Sequence, residues 1–526
     1  MLNERNLFYP YEDFNQGLTP QNVLEFQKQV RAVITSPDAI VDQKKEMLVD
    51  VAFKTLPYPP ISKEAYRLIE EGKICLLGEG PAPFHPRYTA PDYLKMLQQG
   101  SAFFDLKPAQ SIFDVVDHLI TLYQYAPSSG LPVYLGNLDE LFEPYLDSVS
   151  EETAYAVMKS FWRMVDRLHP NGFVHADLGP QVSRAGRMLM EIDREERTVT
   201  NLTLRYDPER TAEDFALQAV ANTLELTKPY FVNHKKMAEA WGEDYVMASC
   251  FNPMKLAGGI FTLVRLNLKE LLAGLDCSMD TILNEIIPET AALQMEIINS
   301  RINYLVEEVR WFEHSPFVKE GLLDKEKFSA YAGVYGMNEA VNTLMETWGK
   351  SQEKYGHSEQ ANLTAEQIAA RLKEELHKHP SVYCTATDQK AAFHAQVGIS
   401  SDQCVSPGVR FPAGQEPPLY QHMQGIAPQH ELFSGGISTI IEFDQTARSN
   451  PQAVLDLIKG AHKMGLRNLS VGSCDSEYIR VSGYLIRRAD LEKSRQERLT
   501  RLETNSYGNE FMSNQPESLH RRVRKV

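Results

Sequence analysis

Six cysteines, Cys75, Cys250, Cys277, Cys384, Cys404 and Cys474, offer the widest chemistry of any side chains in the chain. No Cys-x-x-Cys pair occurs among them, so the paired thiolates of a zinc or iron–sulfur site are missing and no metal is expected. Each thiol stands alone, and most are expected as small buried hydrophobes. Cys250 lies in Met247-Ala248-Ser249-Cys250-Phe251-Asn252-Pro253, ahead of Gly258-Gly259. Gly483 lies in Tyr478-Ile479-Arg480-Val481-Ser482-Gly483-Tyr484-Leu485, on a loop expected to leave the last strand. Taken singly, the first reads as a structural thiol and the second as a turn residue with positive φ. Acid–base candidates are weaker. His422, His430 and Glu416 sit in or beside a Pro/Gly-rich stretch before a strand, where catalytic groups often lie. Asn267 ends a strand, where it would hydrogen-bond a substrate hydroxyl or satisfy strand-end backbone. His175 and Asp177 are spaced like metal ligands, but two residues make no site.

The elements that must position these groups alternate between helix and strand. The first third reads mainly helical, with a helix opening at Ser36-Pro37. Leu131–Leu135 is a short apolar run, and Asn201–Tyr206 alternates as a strand does. Thr211-Ala212-Glu213-Asp214 resembles a capping box. Gly259–Leu266 is rich in β-branched and aromatic residues. Late in the chain a strand over Ile437–Phe443, a helix opened by Ser449-Asn450-Pro451 and closed at Gly465, and a strand over Asn468–Val471 form a βαβ unit. Repeated units of this kind indicate an α/β barrel or open α/β sheet. Residues 349–379 read as an exposed helical insertion without a clear apolar stripe. Residues 405–429 read as a loop, and the basic run Arg521-Arg522-Val523-Arg524-Lys525 as a solvated end. The expected organisation is a helical region over 1–125, a barrel carrying the cysteine loop over 126–471, and a final segment over 472–526.

Composition excludes several classes. The formal net charge of -16 repels phosphate backbones, so nucleic acid is not an expected partner. No uncharged apolar stretch of about 18 residues appears, and charges enter at once after Met1, so neither a membrane span nor a secretory leader is expected. A cytoplasmic location follows as an expectation.

The string Arg480-Val481-Ser482-Gly483-Tyr484 near the C-terminus resembles the radical-bearing motif of glycyl radical enzymes. The segment around Cys250 resembles their cysteine loop, and Gly259 through Asn267 the strand after it in anaerobic ribonucleotide reductases. Glu71–Leu76, Tyr134–Asp139, Asn201–Tyr206 and Phe433–Phe443 look like further elements of that subgroup. Over its length the chain resembles the YjjI-type family. The resemblance implies a ten-stranded α/β barrel of two half-barrels, a radical on Gly483 and a thiyl on Cys250. It also implies that no cofactor is bound, that a separate S-adenosylmethionine iron–sulfur activase installs the radical, and that the chain forms a homodimer. Chemistry gives the reason for glycine: an unpaired electron at Cα is stabilised only when flat and conjugated with both flanking amides, and a Cβ would twist it out of that plane. The thiol needs an S–H bond of matching strength rather than a low pKa, so no basic partner is required. Asn267, His430 and Glu416 are then candidates to bind substrate.

Departures from better-known relatives leave the reaction open. Phe251 follows Cys250 where pyruvate formate-lyase relatives have a second cysteine. Asn252 stands where diol dehydratase relatives have Glu. The cysteine-rich ribbon of anaerobic ribonucleotide reductases is absent. Nucleotide reduction and a non-radical α/β barrel stand as alternatives to a radical enzyme of unassigned substrate.

Overall fold

A computed structural model describes residues 20–525 apart from 54–55, 57, 77–79, 130–132, 169–173, 249–250, 396–404, 482, 502–511 and 514–515. Short buried strands separated by helices organise it. β1 (Ile74–Leu76) and β2 (Tyr88–Ala90) precede β3 (Tyr134–Asn137), β4 (His175–Leu178), β5 (Asn201–Tyr206) and β6 (Tyr230–Asn233). Strands β3 to β6 are mutually parallel. β7 (Tyr245–Ala248) and β8 (Asn252–Lys255) form an antiparallel hairpin, and β9 (Gly258–Asn267) follows it. β10 (Phe328–Tyr335), β11 (Ala392–Ala395), β12 (Thr439–Phe443) and β13 (Asn468–Ser473) complete a second parallel set. The two sets run in opposite directions, since β6 pairs antiparallel with β13, and β1 and β2 with β9. The result is an α/β barrel of two half-barrels, the arrangement expected from the sequence. Ladder hydrogen bonds do not run the whole way round. Two sheets, of seven and five strands, meet at seams bridged by single bonds such as Ser434 N to Phe393 O (2.9 Å) and Tyr93 Oη to the Tyr134 carbonyl (2.8 Å).

β5 explains why such strands carry a site. All six of its residues are buried, as parallel strands with both faces covered must be. Leu202 and Leu204 share one face; Asn201, Thr203 and Arg205 share the other by strand alternation. That polar face looks into the barrel, where the Arg205 guanidinium lies 5.9 Å from the Tyr245 ring of the β7–β8 hairpin.

Several sequence expectations change. The helix expected from Pro37 begins at Val41, where Gln43 Oε1 accepts from Ile40 N. Thr211 does not cap: its hydroxyl donates to the Pro180 carbonyl, and the helix Glu213–Leu226 starts without a side-chain cap. Within 349–379 the helix Glu359–Leu376 is a core element, burying Ala361, Ala365, Ile368, Ala369 and Leu372. Half of its buried apolar residues are alanine, and Thr364 and Glu375 interrupt the stripe, so it does not register as a core face in sequence. The stretch 405–429 is loop only to Pro418; Leu419–Leu432 is a helix despite Pro428 inside it. The basic C-terminus is docked, with Val523–Arg524 (β16) adding to the free edge of β12 and Arg524 Nη2 donating to the Pro417 carbonyl. Asn450 caps the helix Pro451–Lys463 as its Ser-Asn-Pro opening suggests. No helix of the described residues is long and apolar enough to cross a membrane.

Candidate active site

The β7–β8 hairpin enters the barrel and is held on every side. Met247 N donates to Asp177 Oδ2 (2.9 Å), which also accepts from Tyr134 Oη (3.2 Å). Asn252 Nδ2 donates to Tyr88 Oη (3.2 Å), and Tyr331 Oη donates to the Pro253 carbonyl. Gly435 approaches so closely that a Cβ there would overlap the Phe251 carbonyl and come within 2.7 Å of the Pro253 ring. Ser249 and Cys250 lie outside the described residues. Their flanks are fixed: Ala248 pairs with Asn252, and Phe251 takes a left-handed φ of +59°. An aromatic residue in that region stores about 1–2 kcal/mol, so the turn is imposed by the contacts around it.

Gly483 is buried in a second hairpin, between β14 (Tyr478–Arg480) and β15 (Leu485–Arg487), closed by Val481 N to Tyr484 O (3.2 Å). This hairpin has an apolar cluster of its own, in which Ile479, Val481, Tyr484 and Ile486 meet Leu491 and Met512. Polar pins fasten it to the barrel floor. Tyr478 Oη and Arg487 Nη2 both donate to the Arg197 carbonyl. The buried Arg480 donates to the Thr227 carbonyl (2.8 Å) and to Asn201 Oδ1 (3.3 Å). Thr227 begins a turn secured by Lys228, whose buried ammonium reaches Asp193 Oδ1 (2.7 Å) and the carbonyls of Thr198 (2.7 Å) and Thr200 (2.9 Å).

One ring joins the two hairpins. The Arg480 guanidinium lies 5.7 Å from the centre of Tyr230, and the same ring lies 4.2 Å from that of Phe251. The Tyr230 hydroxyl meets His175 Nε2 (3.1 Å), which also contacts Thr203 Oγ1 (2.5 Å). Burial, reinforced by the Arg480 charge, drives the His175 pKa well down, so the imidazole is neutral. Burial pushes Asp177 up to about 6, against the opposing pull of Arg205 and of the bond from Met247.

The other sequence candidates fall elsewhere. Asn267 ends β9 and caps the helix Leu268–Leu272, accepting from Glu270 N (3.4 Å). His430 is fully buried; Nδ1 accepts from Arg467 N (3.1 Å), so Nε2 carries the proton and faces Thr439 Oγ1 (3.1 Å). Glu416 Oε2 accepts from Gly414 N (2.8 Å) and Arg522 N (3.1 Å) beneath the C-terminal strand. Glu416 and His422 share the wall of a small cleft; neither Asn267 nor His430 lines it. Tyr230, Arg480 and Asp177 were not singled out from sequence for the roles they have. Their signal was polar residues at alternate positions of otherwise apolar strands, as in His175-Ala176-Asp177-Leu178.

A sequence model described as glycyl radical enzyme YjjI-like matches residues 40–524. The chain belongs to this family of glycyl radical enzymes. The uncharacterized protein YjjI of Escherichia coli (strain K12) is 40% identical over 476 residues, covering 90% of this chain and 91% of its own. Among solved structures, the anaerobic ribonucleotide reductase from Thermotoga maritima with glycerol in the active site has a TM-score of 0.65 at 13% identity, covering 94% of each chain. Hydroxyproline dehydratase from Clostridioides difficile, with its substrate bound, has a TM-score of 0.66 at 10% identity, covering 95% of this chain and 88% of the other. At such identities the two structures share the barrel with this chain, and the family match makes it an enzyme.

Proposed function

We propose that Gly483 stores an unpaired electron and that Cys250 carries it to a small-molecule substrate. The carrying observation is the contact path Arg480–Tyr230–Phe251: it fastens the segment of Gly483 to the residue beside Cys250 across a single aromatic ring. In the scheme, the Gly483 Cα radical takes the hydrogen atom of the Cys250 S–H, leaving an intact glycine and a thiyl. The thiyl takes a hydrogen atom from a substrate C–H, re-forming S–H and leaving a substrate radical. After rearrangement the product radical takes that hydrogen back, and the thiyl then recovers its own from Gly483, so each turn conserves atoms and spin. The surroundings support this chemistry. The flanks of both residues are buried, and a dry interior protects a thiyl from side reactions. The radical would be installed by an external activase of the S-adenosylmethionine iron–sulfur class. We further propose a cytoplasmic enzyme that acts as a homodimer.

Anaerobic treatment with a competent activase should produce an electron paramagnetic resonance doublet that Gly483→Ala lacks. Air should then cut the activated chain at Gly483 and release a small C-terminal fragment. In Cys250→Ala the doublet should form while turnover is absent. Activation that yields no doublet and no cleavage would overturn the assignment.

A further inference from the structure

The β7–β8 hairpin, whose connecting turn contains Cys250, is a ribbon of two strands, and such a ribbon is marginal without further partners. Its register pairs Met247 with Pro253. In an antiparallel pair, alternate residues turn their N–H and C=O groups away from the partner strand. The Met247 N–H and the Pro253 carbonyl are groups of this kind, since each bonds to a wall of the barrel. Met247 N donates to Asp177 Oδ2 (2.9 Å), on β4. The Pro253 carbonyl accepts from Tyr331 Oη, on β10. Proline has no N–H, so at this rung the second edge offers its carbonyl alone. β4 belongs to one parallel set and β10 to the other. Each edge of the ribbon is therefore fastened to a different half-barrel, and both bonds fall on the same rung. Both anchors are themselves fixed. Asp177 is fully buried and also accepts from Tyr134 Oη (3.2 Å). Tyr331 is fully buried, and its ring stacks on His394 with centres 4.6 Å apart. Burial holds the Tyr331 pKa well above the ordinary phenol value, so the hydroxyl keeps its proton and donates.

We infer that Asp177 and Tyr331 are positioning residues for the hydrogen-atom transfer between Gly483 and Cys250, clamping the cysteine hairpin between the half-barrels. The inference rests on the radical reading proposed above. Both residues act through the hairpin backbone, by fixing where the strands on either side of Cys250 stand. A misplacement of about 1 Å can cost about a hundredfold in rate. Loss of one clamp should therefore slow the transfer at least tenfold.

The test uses the full-length protein and needs no substrate. In heavy water the Cys250 thiol exchanges its proton for a deuteron. The Gly483 Cα radical then takes deuterium from the sulfur, leaving a thiyl. On the return step the glycine gives its protium to the sulfur and keeps the deuterium. The doublet, which arises from coupling to the single α-hydrogen, therefore collapses to a narrow line. Activated wild-type protein moved anaerobically into heavy water should show this collapse, and Cys250→Ala should keep its doublet. Tyr331→Phe and Asp177→Ala should form the doublet and collapse at least tenfold more slowly than wild type. Asp177→Asn, which retains an acceptor for Met247 N, should recover most of the wild-type rate. Leu455→Ala truncates a fully buried side chain of the helix Pro451–Lys463 and should lower stability while leaving the rate unchanged. If Asp177→Ala does not fold, Tyr331→Phe, which removes one oxygen atom, decides. Wild-type rates in Tyr331→Phe and Asp177→Ala, or equal slowing in Leu455→Ala, would overturn the clamp and leave the radical transfer standing. A wild-type doublet that persists in heavy water as Cys250→Ala does would sink the transfer itself, and the positioning roles with it.

Discussion

Arg480 carries a buried positive charge on the segment that holds Gly483, and its acceptors belong to the barrel rather than to its own hairpin. Replacing it with alanine leaves the Thr227 carbonyl and the Asn201 side chain without this donor. Each loss costs about 1–3 kcal/mol, so Arg480→Ala should lower unfolding free energy by about 2–6 kcal/mol in guanidinium titrations. If the Tyr230 path positions the hairpin, the glycyl doublet should survive in this variant while turnover falls at least tenfold. Loss of both in proportion would mean a purely structural role. Asp177 gives a pH prediction with a definite sign. Its pKa rises from an ordinary 3.8 to about 6 on folding because burial disfavours the charged form. Between those values the folded chain binds more protons than the unfolded one, so this group's contribution to stability falls as pH rises from about 4 to 6. Asp177→Asn removes that dependence. The stability of the variant relative to wild type should therefore increase by up to about 3 kcal/mol from pH 4 to pH 7, measured by urea unfolding across that range. A difference that is flat or falls with pH would refute the buried carboxylate reading.

At the level of elements, the β7–β8 hairpin depends on backbone approach as much as on hydrogen bonds. Gly435 presses against the Phe251 carbonyl and the Pro253 ring. Gly435→Ala should cost about 1–3 kcal/mol by overpacking. Its larger effect should be on turnover, because the strain falls beside Cys250; an active Gly435→Ala enzyme would show that the tip need not be held. Sequence revealed these elements unevenly. β5 and the helix Pro451–Lys463 were legible because strand alternation and an Asn cap with Pro behind it are local signals. The helix Glu359–Leu376 was not, since alanine signals a buried face only once the neighbouring helices are known. Pro428 hid the helix Leu419–Leu432 in the same way. In the site, the roles proposed for Gly483 and Cys250 rest on motif resemblance. Tyr230 was not legible, because its importance arises from two hairpins distant in sequence meeting on one ring. Asn267 was legible as a polar strand end, and its observed bond is to the helix that follows.

On the scale of the whole molecule, opposed half-barrels let two hairpins from distant parts of the chain approach one another inside a single enclosure. Four strands of one set run toward the end where Gly435 and the start of β9 lie, and the hairpin carrying Phe251 returns between them. The Gly483 segment meets the opposite end, at Asn201 and Thr227. Enclosure would shield the proposed radical and would also hide Gly483 from the proposed activase, since the residue is buried. The apolar cluster within the β14–β15 hairpin bears on that conflict. Ile479, Val481, Tyr484 and Ile486 bury one another with Leu491 and Met512, whereas among the described residues only Tyr478 and Leu485 share a small apolar patch with Val199 and Leu226. Most of what fastens the hairpin to the floor is hydrogen bonding, which water can replace at a net cost of about 1 kcal/mol each. This distribution predicts that the segment leaves its socket as a unit, with its own apolar contacts intact. Native-state hydrogen exchange should show the amides of 478–491 opening together, at a free energy well below that of β4 to β6. Opening only with global unfolding would mean that Gly483 has to be reached by another route.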